Sequence, residues 1–395
     1  MERLELAARF VAFMIKLKCI KGRIEQFRRA ATRYRMDTIH ATSLEGNTLG
    51  SPVERMLRVY LPPGYFEHPG ERYPVIYLLH GYGSDDKNWT VTSRREVDQA
   101  PFPMDVIPAR LAREFNLDKV PTYEQLDDLI TRGDIAPFIL VQPDGSLHLR
   151  QLGNVRNIAG YPKKKGSFYV NSPHSGNYAD YIARDVVGHV DRTYRTIADH
   201  AHRAVSGVSM GGYGALHLAI KFPDVFGVVA ALAPGNLLPS MVDWTLYTPL
   251  NERILGRGYA RKMGVHDWTD ILDTTDMIYS KDVPLLPTIQ RDATGRMIGA
   301  GEAALANWRR FDLNTMIAGQ PEALRGKPVF LYCDVKDEYG LNPVARQLHD
   351  TMLANGIDHE FLNPDDPATA IAPHALGCGV NITNAIKFCT TSFPR

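Results

Sequence analysis

Cysteine is scarce in this chain: Cys19, Cys333, Cys378 and Cys389 are the only four among 395 residues, and no two stand in C-x-x-C spacing. That pattern excludes a disulfide framework and a zinc ribbon. Unpaired thiols in a reducing compartment are the expectation, with a Cys378–Cys389 pair left open. Also missing is any run of about 18 apolar residues, the length a membrane span requires. The apolar stretch 10–20 is broken by Lys16 and Lys18, and no small-residue cleavage site follows it. Neither a span nor a secretory signal is therefore expected, and the cytoplasm is the expected location. Nor is there an excess of one charge: 45 Lys and Arg face 44 Asp and Glu, a net of +1. No global field recruits nucleic acid, and no nucleic-acid partner is expected. Internal repeats and low-complexity tracts are absent as well.

The balance of charge is local, not uniform. Residues 1–35 hold ten Lys or Arg against Glu2, Glu5 and Glu25, a segment charge of +7, so the remainder carries −6. Phe10, Phe13, Met14, Leu17, Ile20, Ile24 and Phe27 recur three or four apart, which predicts an amphipathic helix with a basic outer face. Two partners for its stripe stay open. One is protein, either the rest of the chain or a second copy, and the other is peripheral contact with an anionic membrane.

From residue 36 the pattern changes to that of a catalytic-sized domain running to 395. Short alternating runs predict strands at about 36–42 and 55–61, then a turn on Pro62, Pro63 and Gly64. Nearly continuous apolar runs at 73–80, 138–142, 204–206, 228–233 and 329–333 fit strands buried on both faces. Helical spacing lies between them at 178–194, 212–222 and 343–355. Strands alternating with helices predict an α/β domain with a mostly parallel central sheet and helices on both faces. The stretch 236–326 exceeds what a sheet connection needs, so a cap or lid is expected there.

Gly207-Val208-Ser209-Met210-Gly211 fits G-x-S-x-G. A match arises by chance in about one chain in ten of this length, so its setting matters more than its letters. A short strand precedes it and a helix-forming stretch follows, the strand–turn–helix context of a nucleophile elbow. The turn is sharp enough that side chains at 207 and 211 would collide with neighbouring backbone, which glycine avoids. Ser209 is the candidate nucleophile, and the Met210 N–H at the helix start is one candidate oxyanion donor. His80-Gly81-Tyr82-Gly83 closes the strand 73–80, which makes the Tyr82 N–H the second donor, with Gly81 letting substrate approach. His80 itself is expected to be structural.

A serine nucleophile needs a base, and the base needs an orienting carboxylate, in the chain order Ser, Asp or Glu, His. Asp334, Asp337 and Glu338 follow the strand 329–333, at the end of the sheet where catalytic groups gather. Asp337 is preferred, with Asp334 as a turn cap and Glu338 as runner-up. Of the later histidines, His349 falls on a helix surface and His359 in the last strand, 357–362. His374 falls in an irregular loop between Pro373 and the glycines 377 and 379, and is the candidate base.

With these residues in place, the chain resembles the putative-esterase family of α/β-hydrolases, which includes S-formylglutathione hydrolases and feruloyl and acetylxylan esterases. The resemblance runs from about residue 36 to the C-terminus. It rests most on Val59-Tyr60-Leu61-Pro62-Pro63-Gly64-Tyr65, on 73–81 with Trp89 downstream, and on 206–216. It implies an α/β-hydrolase fold, ester hydrolysis through an acyl-enzyme, and no metal or organic cofactor. It assigns Ser209, Asp337 and His374 to the triad, Tyr82 and Met210 to the oxyanion hole, and Gly81 and Trp89 to substrate binding. Asp334 stands where relatives have glycine, and His374-Ala375-Leu376 lacks the tryptophan that often follows their histidine.

The expected activity is therefore carboxylic-ester hydrolysis of a small or polymer-borne ester, feruloyl-esterase-like or general. Two alternatives remain at this level: an acyltransferase on the same scaffold, and a non-catalytic hydrolase-fold binding module. Trp244, Tyr247, Tyr259, Trp268 and Tyr279 in the insertion fit either an aromatic acyl site or, more simply, a small core of its own.

Overall fold

The computed structural model describes residues 33–86, 123–147, 165–242, 268–293, 297–335, 337, 339–363 and 374–395. The expected N-terminal helix falls almost wholly outside them, as do Trp89, Trp244, Tyr247, Tyr259 and Glu338. Eight strands form the central sheet: β1 (Tyr34–His40), β2 (Glu54–Tyr60), β3 (Val75–Leu79), β4 (Ile139–Pro143), β5 (Arg203–Val208), β6 (Val228–Leu232), β7 (Val329–Tyr332) and β8 (Glu360–Leu362). Their spatial order is β1-β2-β4-β3-β5-β6-β7-β8. Only β2 runs against its neighbours β1 and β4, and every pair from β4 onward is parallel. The first strand begins at Tyr34, two residues before the sequence pattern places it.

Burial explains why the inner strands read as nearly continuous apolar runs. Every residue of β3, β5, β6 and β7 is buried, and side chains alternate between two cores. Val75, Tyr77, Leu79, Val205, Val229 and Ala231 point into one, while Ile76, Leu78, Ala204, Val228, Ala230 and Leu232 point into the other. That is the two-period of a strand with helices on both sides.

Helices α1 (Tyr123–Thr131), α2 (Met210–Lys221), α3 (Leu237–Val242), α4 (Trp268–Ser280), α5 (Glu302–Arg309), α6 (Leu313–Gly319), α7 (Leu341–Ala354) and α8 (His374–Ser392) cover the sheet or build the insertion. The stretch expected as one helix from 178 is helical, but its middle, Tyr181–Val186, is wound as a π-turn. The sequence between β6 and β7 holds α3 to α6 and a small antiparallel ladder of Gln290–Arg291 with Met297–Gly299. None of the described helices is long and apolar enough to cross a membrane.

Two expectations change here. His374 does not sit in an irregular loop; it is the first residue of α8. The glycines at 377 and 379 each cost a helix about 1 kcal/mol. Burial of Ile382, Ala385, Ile386 and Cys389 against the sheet outweighs them. Helical geometry also rules out a Cys378–Cys389 bridge: eleven residues of α8 separate their Cα atoms by about 16 Å, well beyond disulfide reach. Cys333 and Cys389 are buried, and neither forms a disulfide among the described residues.

Candidate active site

The last residues of four adjacent strands pair in one row: Val208 with Leu232, Leu232 with Tyr332, Tyr332 with Leu362. Ser209, Asp337 and His374 follow β5, β7 and β8, so the chain delivers them all to the C-terminal end of the parallel sheet. This is the edge at which open α/β sheets bind ligands.

Ser209 caps α2 with φ 59° and ψ −116°, a backbone state that a residue other than glycine holds only at a cost of about 1–3 kcal/mol. Three backbone hydrogen bonds hold it there: its N–H donates to Leu232 O (2.9 Å), and its carbonyl accepts from Tyr213 N and Gly235 N (3.0 Å each). A Cβ at Gly207 would lie 2.5 Å from the Gly211 carbonyl carbon, and one at Gly212 would lie 2.6 Å from Leu232 O. At Gly211 it would run into the Leu79 carbonyl. The elbow therefore tolerates no side chain at these positions. Met210 follows as the first helical residue, so its N–H has no acceptor within the helix.

His374 Nδ1 lies 2.5 Å from Asp337 Oδ2, and both side chains are almost fully buried. The other carboxylate oxygen accepts from Tyr339 N (3.0 Å) and Leu341 N (3.2 Å), at the start of α7. The Tyr339 ring meets the imidazole edge-on, with centroids 4.9 Å apart. Asp337 is thus fixed by two backbone donors, and through Nδ1 it fixes the orientation of the His374 ring in turn. The other histidines of this region pair with each other, His349 Nδ1 standing 2.7 Å from His359 Nε2. His349 is accordingly half-buried against Phe361, where the sequence predicts a surface residue.

The turn after β3 is braced from below. His80 is buried, and its Nε2 accepts from Gly145 N (2.9 Å) while its Nδ1 lies 2.8 Å from Gly81 O. With Nε2 accepting, Nδ1 is the donor. A trans peptide sets its N–H opposite its C=O, so tying down the Gly81 carbonyl aims the Tyr82 N–H away from His80. The residues that carry Gly145 are themselves held by Arg55. This buried guanidinium donates to Asp144 O (2.8 Å) and Ser146 O (2.6 Å), with the Tyr178 ring 5.7 Å away. His80 is structural, as expected, yet the structure it supports is the candidate oxyanion turn.

A third wall was not legible beforehand. In residues 165–169, Phe168 and Tyr169 both take positive φ (52° and 55°). A Cβ on Gly166 would lie 2.5 Å from the Tyr82 ring and would strike Met210 Sδ, so this glycine seats both candidate donors' side chains. Phe168 N donates to Met210 Sδ (3.4 Å), and Tyr169 OH donates to His80 O (3.0 Å). No motif marks this stretch; its only signal is a glycine and an aromatic pair after a basic run. Tyr279, from the insertion, packs on Phe311 (4.1 Å), Trp308 (5.0 Å) and Phe168 (6.3 Å), and is buried in a core, not displayed.

The model of the family described as "Putative esterase" matches residues 48–270, more than half of the chain. An endo-1,4-beta-xylanase/feruloyl esterase of Xylanibacter ruminicola is 25% identical over 214 residues, which are 53% of this chain and 24% of that protein. The chain thus spans about a quarter of that relative's length. A ferulic acid esterase of known structure superposes with a TM-score of 0.54 at 17% identity, covering 91% of this chain and 98% of that one. An S-formylglutathione hydrolase from Agrobacterium tumefaciens gives a TM-score of 0.47 at 18% identity, covering 91% and 95%. Strand order, elbow and family match converge: the chain has the α/β-hydrolase fold and belongs to the putative-esterase family.

Proposed function

We propose that the chain hydrolyses carboxylic esters through an acyl-enzyme on Ser209. The observation that carries this reading is the buried His374–Asp337 pair, placed at the same sheet end as a serine in strained elbow geometry. His374 Nε2 takes the serine proton as Oγ attacks the ester carbonyl, then returns it to the leaving alkoxide. Asp337 holds the proton-bearing Nδ1 and stabilises the imidazolium that forms. The Tyr82 and Met210 N–H groups donate to the developing oxyanion, a contribution worth on the order of 10²-fold or more per donor. Water then repeats the sequence on the acyl-enzyme.

For the acyl group we favour a hydroxycinnamate such as a ferulate. The support is that two similar proteins are named as feruloyl or ferulic acid esterases. Gly81, at the mouth of the turn, is the close-approach residue in this reading, and Trp89 lies outside the described residues.

The test is to treat the pure protein with a fluorophosphonate probe, map the label, and repeat with Ser209→Ala. Label on Ser209 alone, lost in the variant, is the expected result. Unlabelled wild type, or label persisting in the variant, overturns the reading.

A further inference from the structure

The turn that carries the Tyr82 N–H lies between Gly81 and Gly83, and Gly83 takes φ 78°. Glycine leaves backbone torsions weakly restrained, so the direction of that N–H depends on what grips the turn. His80 grips the carbonyl of residue 81. The second grip is the Tyr82 side chain, and it reaches into the insertion: its hydroxyl donates to Thr274 Oγ1 at 3.0 Å, across 192 residues of chain. Thr274 is buried on α4, and the ring between the two ends rests on Gly166 and lies 6.1 Å from Phe168. Burial also raises the Tyr82 phenol well above its ordinary range, so it remains a donor at any working pH.

We infer that Thr274 is a positioning residue for the reaction: by accepting the Tyr82 hydroxyl it fixes the oxyanion turn, so the insertion takes part in turnover. This rests on the assignment of Ser209 and the Tyr82 N–H given above. Helix α4 is itself firmly placed, because Asp276, two residues along, accepts from Leu285 N (2.8 Å), Leu286 N (3.1 Å) and Trp308 Nε1 (3.0 Å). A rigid helix holding the far end of a rigid ring transmits its position to the backbone at the near end. The oxyanion gains most from correct donor placement in the transition state, so the effect falls on kcat more than on KM.

The experiment compares Thr274→Val, Thr274→Ser and Tyr82→Phe in p-nitrophenyl acetate turnover and in the rate of fluorophosphonate labelling, whose phosphoryl oxygen occupies the oxyanion position. Thr274→Val and Tyr82→Phe should each lower kcat about tenfold with KM little changed, slow labelling to match, and show no further loss when combined. Thr274→Ser, which keeps the hydroxyl, should recover most of the loss. Full kcat in Tyr82→Phe overturns the inference, as does a loss confined to KM, or a Ser variant no better than the Val. Tyr82→Phe leaves α4 untouched, so it decides the matter even if Thr274→Val does not fold. Wild type labelled at Ser209 together with unaffected variants refutes the role of Thr274 alone; unlabelled wild type refutes the underlying reading instead.

Discussion

His374 Nδ1 and Asp337 Oδ2 meet at 2.5 Å with both side chains buried, and the remaining Asp337 oxygen is taken by two backbone N–H groups. Asp337→Asn would present an amide to Nδ1 and favour the wrong tautomer, as it does in serine proteases. A fall in kcat of about 10⁴-fold is expected, while the fold is kept. His374→Ala should abolish p-nitrophenyl acetate turnover and His359→Ala should not, since His359 is occupied by His349 and by Ile357 O. The opposite pattern would move the base to another residue.

His80 offers a test that separates aim from chemistry. Its two ring nitrogens are engaged by Gly145 N and Gly81 O. His80→Ala removes both and frees the turn, and kcat should fall about 10- to 100-fold. Affinity for ground-state product should change little. Equal losses in product binding and in kcat would show that His80 supports the whole pocket, not the turn.

At the elbow the expectation concerns stability. Alanine at 207 would place a methyl 2.5 Å from the Gly211 backbone, and alanine at 211 would collide with the Leu79 carbonyl. Neither neighbour is a movable side chain. A loss of more than about 3 kcal/mol is expected, read as a lowered denaturation midpoint or as insoluble protein. A Gly207→Ala variant with wild-type stability would mean that the turn is wider than described.

His217 should control acid stability. It is fully buried under Tyr213 on α2, neither ring nitrogen has a hydrogen-bond partner among the described residues, and burial lowers its pKa from 6.5 to about 3. Between those values the unfolded chain takes up a proton that the folded chain refuses, so stability rises with pH across that window and is lost as pH falls. His217→Leu removes this term. Its denaturant midpoint should depend less on pH between 4 and 6.5, and should be higher at pH 5 by about 1–2 kcal/mol of stability. An unchanged pH slope would assign the acid sensitivity elsewhere.

Legibility from sequence followed burial and local sterics. Strands β3 to β7 are readable because two-sided burial makes each a largely apolar run, and the elbow because its glycines are demanded by backbone collisions. Chain order singles out His374 as the candidate base, but its setting differs from the expectation: two glycines nearby read as a loop, whereas packing of α8 on the sheet makes a helix. The 165–169 wall and Thr274 were invisible for a different reason. Each matters only through contacts with residues tens to hundreds of positions away, and no local pattern records such a contact. Tyr279 shows the same limit, since only its packing on Phe311 and Trp308 tells core from binding surface.

Arg33 forms a two-pronged ion pair with Asp127 (2.8 and 2.5 Å), beside the stacked rings of Tyr34 and Tyr123. It enters the fold at β1, the sheet's outer strand, four strand spacings from β5 and thus about 19 Å from the row that carries Ser209. The clamp therefore pins the rim of the sheet to α1, well away from the row that carries Ser209.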